Sequence, residues 1–253
     1  MGDSSQVGLV IEAESLVKVY RQGGVRAVDG LNLRVRRGEI YAFIGANGSG
    51  KTTAINMMTG ALAPTSGTIR VLGVEQPRNR HEVASLIGVA PQEYSLYQDL
   101  TVDENLEFFA GLNGVEQGLL GERAGELLDI LNLRGRRRTP VSELSGGMKR
   151  RVSIACALIH DPEIVFFDEA TVGVDPVLRQ FFWGYFRSLA ERGVTIVVTS
   201  HVMDEAERAD RIGLMRAGRL IEEGTPSELK QRHGVNTVEE VFLKLSGGVT
   251  VDG

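Results

Sequence analysis

Short apolar runs alternate along the chain with segments in which apolar residues recur every three or four positions. Runs that are apolar throughout are typical of strands buried on both faces of a sheet, and runs that alternate with polar residues are typical of half-buried strands. The segments with strand-like patterns are Leu31–Val35, Ile40–Ile44, Ile164–Phe167, Thr195–Val198, Ile212–Met215 and Leu220–Ile221. Strands that alternate with helices predict an α/β fold with a largely parallel sheet.

Helical spacing dominates the middle of the chain, between about Glu93 and Asp161, and predicts a mostly helical insert. The apolar residues with this spacing are Leu106, Phe109, Leu112, Leu127, Leu128, Leu131, Val152, Cys156 and Ile159. Loops near Gly111–Gly118 and Arg134–Thr139 divide the insert. Elsewhere, Ile55–Leu62, Leu178–Leu189 and Val238–Leu245 have the periodicity of helices, and the apolar stripe of the second, which includes Phe181, is predicted to be core.

The composition is that of a globular protein, with 42% hydrophobic and 24% charged residues, so the chain can bury a sizeable core. A net charge of -5 argues against an unspecific nucleic-acid binder, which is usually basic. The single cysteine excludes an internal disulfide and favours a reducing, cytoplasmic compartment. No apolar run approaches the roughly 18 residues of a membrane span, and the acidic first residues are not those of a secretory signal.

A phosphate-binding loop is predicted at Gly45-Ala46-Asn47-Gly48-Ser49-Gly50-Lys51-Thr52, which fits the pattern G-x-x-x-x-G-K-[ST]. The glycines allow backbone N–H groups to turn towards phosphate oxygens, and the following helix directs its positive N-terminus at the same anion. We expect Lys51 to reach the β- and γ-phosphates, Thr52 to bind Mg²⁺ and Thr53 to lie in the first helical turn. A strand before the loop and a helix after it complete the context that the motif requires, and the chain is predicted to bind a nucleotide.

Two carboxylates end the apolar strand that begins at Ile164. Ligands of open α/β sheets bind at the carboxyl ends of the strands, where Asp168 and Glu169 would lie. Asp168 is predicted to hold Mg²⁺, directly or through water, and Glu169 to polarise the attacking water as a general base.

A second anion-binding helix end is predicted at Leu144-Ser145-Gly146-Gly147-Met148. Ser145 can cap the helix, and the two glycines leave N–H groups accessible at its start. The pattern alone would also fit a capped helix with no ligand. The phosphate-binding loop and the Asp168-Glu169 pair, in this order along the chain, favour a ligand.

From about Ile11 to about Leu229 the chain resembles the nucleotide-binding subunit of ATP-binding cassette (ABC) transporters. The three motifs just described carry this resemblance. The resemblance implies that Ser145, Gly146 and Gly147 form the signature, which contacts the γ-phosphate of ATP held by a partner subunit. It also implies that Asp175, in Gly173-Val174-Asp175-Pro176, lies at the seam of the dimer.

Further residues take roles from the same resemblance. Gln92, in Val89-Ala90-Pro91-Gln92, would contact Mg²⁺ and the attacking water and report the nucleotide state to the helical insert. His201, in Thr199-Ser200-His201, would lie beside the γ-phosphate. Tyr20, in Val17-Lys18-Val19-Tyr20, would stack on adenine.

The chain departs from the family pattern at three positions. Ala170 follows Glu169 where proline is usual, which puts the placement of the Val174-Asp175 segment in question. Met148 replaces the commoner glutamine, and Val174 replaces leucine. The methionine, together with the short segment Ser227–Leu245, is similar to the exporter branch that pairs with small separate membrane subunits and includes drug-resistance systems.

The resemblance implies one ABC ATPase domain over residues 1–253, with a P-loop NTPase (RecA-like) core, a mostly parallel sheet, an antiparallel β subdomain and a helical insert. Residues 1–92 and 162–224 would form the nucleotide-binding core, 93–161 the helical signature subdomain and 225–253 a short C-terminal tail.

The expected function is Mg²⁺-dependent ATP hydrolysis that powers solute export. The expected partners are a second cassette, in a homodimer, and an integral membrane permease, with no nucleic acid. Binding to the permease would hold the chain peripherally at the cytoplasmic face of the membrane. The permease is expected to dock near Gln92–Asp103, where Tyr94, Leu96 and Tyr97 are either its apolar anchors or core of the insert.

Two other classes of protein share parts of this pattern. Soluble ABC ATPases act in DNA repair, chromosome structure and translation, but usually carry coiled-coil insertions or two cassettes, whereas this chain has one cassette and no long heptad run. P-loop kinases need neither the signature nor His201. The basic cluster from Arg134 to Arg138 is interpreted as a solvated loop.

Overall fold

A six-stranded sheet runs through the computed structural model, which describes residues 8–21, 23–171 and 174–246. In the order of the sheet, its strands are β10 (Arg219–Gly224), β9 (Arg211–Arg216), β3 (Ile40–Ile44), β8 (Thr195–Ser200), β7 (Ile164–Asp168) and β6 (Ile87–Ala90). The neighbours from β9 to β6 pair in parallel, and β10 returns antiparallel to β9 as a hairpin. Every residue of β3, β7 and β8 is buried, as their continuous apolar runs predict.

A second, antiparallel sheet has the order β2-β1-β4-β5. Its strands are β1 (Leu9–Val19), β2 (Arg26–Arg36), β4 (Ser66–Val71) and β5 (Val74–Glu75). Helix α1 (Lys51–Met58) follows β3, and its buried face shares one apolar core with β2 and with Tyr41 and Phe43 of β3. The antiparallel sheet therefore covers the helix that begins in the predicted phosphate-binding loop.

The predicted helical insert consists of α2 (Val102–Leu112), α3 (Gln117–Ile130) and α4 (Gly146–Leu158). The predicted loop near Gly111–Gly118 is present but shorter than this range, because α2 continues to Leu112 and α3 already begins at Gln117. The glycines at these ends adopt helical geometry with no heavy atom near a virtual Cβ, so nothing in their surroundings forces a break. Short 3₁₀ turns at Arg134–Arg136 and Val141–Glu143 precede α4.

The remaining helices are α5 (Pro176–Glu191), α6 (Met203–Ala206), α7 (Pro226–His233) and α8 (Val238–Leu245). Helix α5 packs on the central sheet through Phe186, whose ring stacks on Phe167 of β7 at a centroid distance of 4.2 Å. Phe181 was predicted to be core but is 38% exposed, because it lies at the edge of the buried face of α5. Among the described helices, none combines the length and the apolar composition that crossing a membrane requires.

Candidate functional site

The phosphate-binding loop connects β3 to α1 at the carboxyl edge of the central sheet. Its glycines lie against neighbouring backbone: a Cβ on Gly45 would come within 2.3 Å of the carbonyl oxygen of Met215. A Cβ on Gly50 would come within 2.3 Å of the carbonyl oxygen of Ala27, and Gly50 has a φ of 105°. These positions therefore require glycine, which is why the motif has glycine there.

Lys51, the first residue of α1, is buried beneath the loop. Its Nζ donates hydrogen bonds to the carbonyl oxygens of Gly45 at 2.7 Å and Ala46 at 3.2 Å. Burial lowers the pKa of Lys51 from its usual 10.5, and the negative charges of Glu169 and Asp168 oppose this effect. The ammonium group is thus held where backbone dipoles and a nearby anion can balance its charge.

Asp168 ends β7 directly beside the loop. Its Oδ1 accepts hydrogen bonds from the hydroxyls of Thr52, at 3.2 Å, and of Thr199 in β8. A threonine hydroxyl and a carboxylate are the hard oxygen donors that Mg²⁺ prefers. Within the described residues, no three His, Cys, Asp or Glu side chains gather around one metal position.

Glu169 occupies a constrained position immediately after β7. It is buried, and its φ of 50° lies in the left-handed region that a non-glycine residue rarely adopts. Its N–H donates to the Oγ1 of Thr199 at 2.9 Å and lies 3.2 Å from the carbonyl oxygen of the same residue. These contacts hold the strained backbone in place and fix the direction of the side chain.

Three predicted site residues converge on the Glu169 carboxylate. The Gln92 side-chain amide donates to its Oε2 at 3.1 Å, and Lys51 Nζ lies 3.8 Å from its Oε1. Nδ1 of His201 lies 3.4 Å from the same oxygen, but without hydrogen-bond geometry. The carboxylate is therefore surrounded by one cation, one amide donor and one imidazole.

A groove of about 660 Å³ opens over the loop. The predicted site residues that line it are Tyr20, Asn47, Gly48, Gly50, Lys51, Thr52, Thr53, Gln92 and Glu169. Tyr20 is 39% exposed, and its hydroxyl lies 3.4 Å from Oγ1 of Thr53. An exposed aromatic ring beside a phosphate-binding loop is suited to stacking on a planar base. Ser49 is buried and does not line the groove.

The predicted signature lies elsewhere on the chain. Ser145 caps α4, because its Oγ accepts a hydrogen bond from the N–H of Met148 at 3.3 Å. Ser145 and Gly146 are exposed, Gly147 is half-buried, and none of the three lines the groove over the loop. The structure thus does not bring the signature to the phosphate-binding loop of the same chain.

Asp175 caps α5, where its Oδ1 accepts from the N–H of Leu178 at 2.9 Å. Gly173 of the same predicted segment lies outside the described residues. Ala170, the departure from proline, is fully buried in the core. Of the proposed permease anchors, Leu96 is buried in the core, whereas Tyr94 and Tyr97 are exposed.

Sequence reasoning missed Thr199 and Arg150. Thr199 contacts both Asp168 and the backbone of Glu169, and a polar residue at the end of the apolar run Thr195–Val198 was the available signal. Arg150, on α4, donates to the carbonyl oxygens of Pro91 and Gln92. No local pattern in the sequence marks that long-range contact.

Comparisons with known proteins identify the family of the chain. The family model described as ABC transporter matches residues 28–172. The Probable multidrug ABC transporter ATP-binding protein YbhF of Escherichia coli is 42% identical over 241 residues, which cover 93% of this chain and 41% of YbhF. The Nod factor export ATP-binding protein I of Paraburkholderia xenovorans is 42% identical over 220 residues, which cover 87% of this chain and 72% of that protein. The chain therefore spans about two fifths of the length of YbhF.

The solved structures similar to this chain include ATP-binding cassettes of ABC transporters. The structure of the ATP-binding subunit of an ABC transporter has a TM-score of 0.86 and 26% identity, covering 94% of this chain and 99% of that one. A dimeric post-hydrolysis state of the ATP-binding cassette MJ0796, bound to ADP and Pi, has a TM-score of 0.78 and 26% identity over 85% of this chain and 98% of that one. The expected fold class is confirmed, and the chain belongs to the ABC transporter family, with the fold of its ATP-binding cassettes.

Proposed function

We propose that the chain binds ATP with Mg²⁺, hydrolyses it in a dimer of two cassettes, and thereby powers solute export through a membrane permease. The observation that carries this proposal is the convergence of Lys51, Gln92 and His201 on the buried carboxylate of Glu169, next to a phosphate-binding loop. A carboxylate held among these groups suits the activation of water beside a γ-phosphate.

Glu169 is the proposed general base, and its strained, doubly anchored backbone fixes where it can take a proton from water. Gln92 would orient that water, and His201 would contact the γ-phosphate. Lys51 would offset the charge on the β- and γ-phosphates as water attacks the γ-phosphorus and its bond to the leaving ADP breaks. In the structure the ammonium group of Lys51 already donates a hydrogen bond to the backbone of the loop, so it is preorganised for this role.

Thr52, Gln92 and Asp168 are the proposed residues at the metal. The hydroxyl of Thr52 and the carboxylate of Asp168 lie within 3.2 Å of each other, which fits a small, hard cation. When bound, Mg²⁺ would offset phosphate charge and fix the geometry of the phosphate chain. Thr199 shares the Asp168 oxygen and would keep that carboxylate turned towards the loop.

ATP would lie with its phosphates in the loop Gly45–Thr53 and its adenine on the exposed ring of Tyr20. The N-terminus of α1 and the backbone N–H groups of the loop supply the anion-binding dipoles. The groove of about 660 Å³ that contains both elements is large enough for a nucleotide.

Two chains would be needed to complete each site. Because Ser145, Gly146 and Gly147 are presented away from the groove of their own chain, we propose that they close over ATP held by a second copy, with Asp175 at the seam. The dimer of the MJ0796 cassette with ADP and Pi supports this arrangement by similarity. The domain limits stated from the sequence, with the signature subdomain at residues 93–161, are part of the proposal.

Export is proposed from the relatives, whose names include multidrug transport and Nod factor export. These names do not favour the alternative role in nucleic-acid or translation processes. The exposed residues Tyr94 and Tyr97 are proposed as permease contacts, whereas Leu96 belongs to the core. A permease partner would hold the chain at the cytoplasmic face of the membrane.

ATP hydrolysis by the purified chain, with and without Mg²⁺, tests the proposal. We expect turnover that requires Mg²⁺, and a loss of about 100- to 10,000-fold on Glu169→Gln, because the amide cannot accept the proton. The variant should also form an ATP-dependent dimer on a sizing column. Glu163→Gln is the matched control, because Glu163 makes an exposed ion pair with Arg37 just before the same strand begins.

Turnover that survives Glu169→Gln would remove the general base from the proposal. Binding of ATP with neither hydrolysis nor dimerisation would contradict the dimeric motor and leave a nucleotide-binding switch.

A further inference from the structure

Arg150 is a buried cation on α4 that the proposed chemistry does not use. It is 5% exposed, yet its guanidinium donates to the carbonyl oxygens of Pro91, at 2.9 Å, and Gln92, at 3.0 Å. Burial is the largest effect on the pKa of Arg150 and lowers it, and Tyr94, Asp168 and Glu169 act in the opposite direction. An arginine still stays charged, so burying it here costs free energy that two backbone acceptors offset only in part.

Tyr94 makes a second connection between the same two segments. The Arg150 guanidinium lies over its ring, 4.8 Å from the centroid, and its hydroxyl donates to the carbonyl oxygen of Gly146 at 3.1 Å. Gly146 and Arg150 are four residues apart, which is about one turn of the helix. The segment from Pro91 to Tyr94 is therefore attached to α4 at two levels, one of them inside the signature.

Gln92 connects these contacts to the candidate catalytic residue Glu169. Its side chain donates to Glu169, while its own carbonyl oxygen accepts from Arg150. The reach of a glutamine side chain depends on where its backbone lies. A shift of the backbone at Gln92 would therefore disturb the Arg150 contacts, which connect it to α4.

We propose that Arg150 and Tyr94 are positioning residues that couple the placement of Gln92 at one ATP site to the presentation of Ser145–Gly147 to the other. This inference rests on the proposed dimeric function. Both residues act through their neighbours: Arg150 fixes the backbone of Gln92, and Tyr94 fixes the first turn of α4. Arg150→Lys keeps the charge but loses the planar, two-branched donor, so it should loosen the coupling without removing a buried cation.

The test measures the ATP concentration that half-converts the Glu169→Gln chain to dimers, by light scattering on a sizing column. The glutamine oxygen at position 169 can still accept from Gln92. Arg150→Lys should raise this concentration about tenfold, as expected for a coupling of ordinary size. Tyr94→Phe, which keeps the ring and loses one hydrogen bond, should raise it about threefold. ATP binding by the dilute single chain should change less than about twofold in both.

Arg134→Lys is the matched control, because it makes the same chemical change in the same insert at a side chain that is 70% exposed and paired with Asp129. It should leave dimerisation unchanged. An equal loss of single-chain ATP binding and of dimerisation in Arg150→Lys would mean general damage to the fold and would overturn the coupling.

A double-mutant cycle with Gln92→Ala distinguishes an effect of Arg150 that acts through Gln92 from one that is independent of Gln92. If Arg150 acts through Gln92, Arg150→Lys should have less than about a twofold effect once the Gln92 side chain is gone. The same tenfold effect with and without that side chain would overturn the inference while leaving the proposed function intact. Absence of ATP-dependent dimers in the Glu169→Gln chain itself would overturn the proposed function, and the inference with it.

Discussion

At the scale of single residues, Lys51 is a cationic side chain in a buried environment. The side chain is buried among backbone carbonyls, and burial lowers its pKa from the usual 10.5. Phosphate oxygens favour the charged ammonium, so bound ATP should raise this pKa again. Proton binding and ATP binding are therefore linked at this position.

We expect ATP affinity to fall as the pH rises through the lowered pKa of Lys51, at pH values below 10.5. The sign follows because the neutral amine gains nothing from phosphate, and in this window ATP binding takes up a proton. Without nucleotide, the folded protein should become more stable over the same rise, because the cost of burying the charge disappears. Calorimetric titration in buffers of different ionisation enthalpy measures the proton uptake.

Lys51→Arg is the control for this pH dependence, since a guanidinium stays protonated throughout the window. Its ATP affinity can be weaker overall but should not vary over that pH range. A pH profile shared by both chains would assign the effect to another group.

Motifs in the sequence predicted much of the candidate site, because the type of residue carries the chemistry. Lys51, Asp168, Glu169, Gln92 and His201 do lie together in the structure. The left-handed backbone of Glu169 could not be predicted, since it is imposed by contacts with Thr199 on the next strand. Such a contact across the sheet leaves no periodic pattern in the sequence.

At the scale of elements, the crossing of β6 and α4 depends on the lack of a side chain at Gly88. A Cβ there would come within 2.1 Å of the carbonyl oxygen of Ala157 and 3.1 Å of Pro162 Cγ. Because one of these neighbours is backbone, it cannot move aside cheaply. The strand that leads to Gln92 and the helix that carries the signature thus lie closer together at Gly88 than a side chain there would allow.

Gly88→Ala should lower the free energy of unfolding by about 1–3 kcal/mol, through overpacking. Gly121→Ala should raise it by about 0.5–1 kcal/mol, because Gly121 lies within α3, is exposed, and has no heavy atom within 4 Å of a virtual Cβ. Urea unfolding of the two variants measures both values. Shifts of the same sign would contradict the packing argument.

Most elements were predictable from periodicity, and those that were missed have irregular patterns. Strand β1 carries register shifts around Ser15, whose φ is 48°, so the alternation of apolar and polar residues is interrupted along it. Its burial depends on pairing with both β2 and β4, which lie far apart in sequence. By contrast, β3 and β7 are fully buried, and composition alone was sufficient to predict them.

At the scale of the whole molecule, an exposed apolar surface lies on the helical insert and is formed by Tyr97, Phe108 and Leu112. The rings of Tyr97 and Phe108 meet edge to face at 4.5 Å, and Leu112 is 65% exposed. Tyr97 belongs to the segment Gln92–Asp103 that was expected to meet the permease. Apolar groups clustered in this way mark an interaction surface more often than isolated ones do.

Tyr97→Glu should abolish coupling between ATP hydrolysis and transport while sparing basal hydrolysis, because it places a charge on the proposed permease contact and not in the groove over the loop. Transport by the chain reconstituted with its permease, beside hydrolysis by the chain alone, measures the two effects. Leu243→Glu is the matched control, since Leu243 is also exposed but lies on α8. Undiminished transport in Tyr97→Glu would exclude this contact.

The separation of the signature from the groove of its own chain has a consequence for complementation between damaged copies. Each proposed composite site takes its loop and Glu169 from one molecule and Ser145 from the other. If one copy lacks Glu169 and its companion lacks Ser145, both defects fall in the same composite site. The second site then has an intact Glu169 from one copy and an intact Ser145 from the other. Two alleles that are each inactive alone can therefore rescue one another in a mixed pair, whereas two alleles that both damage Glu169 cannot.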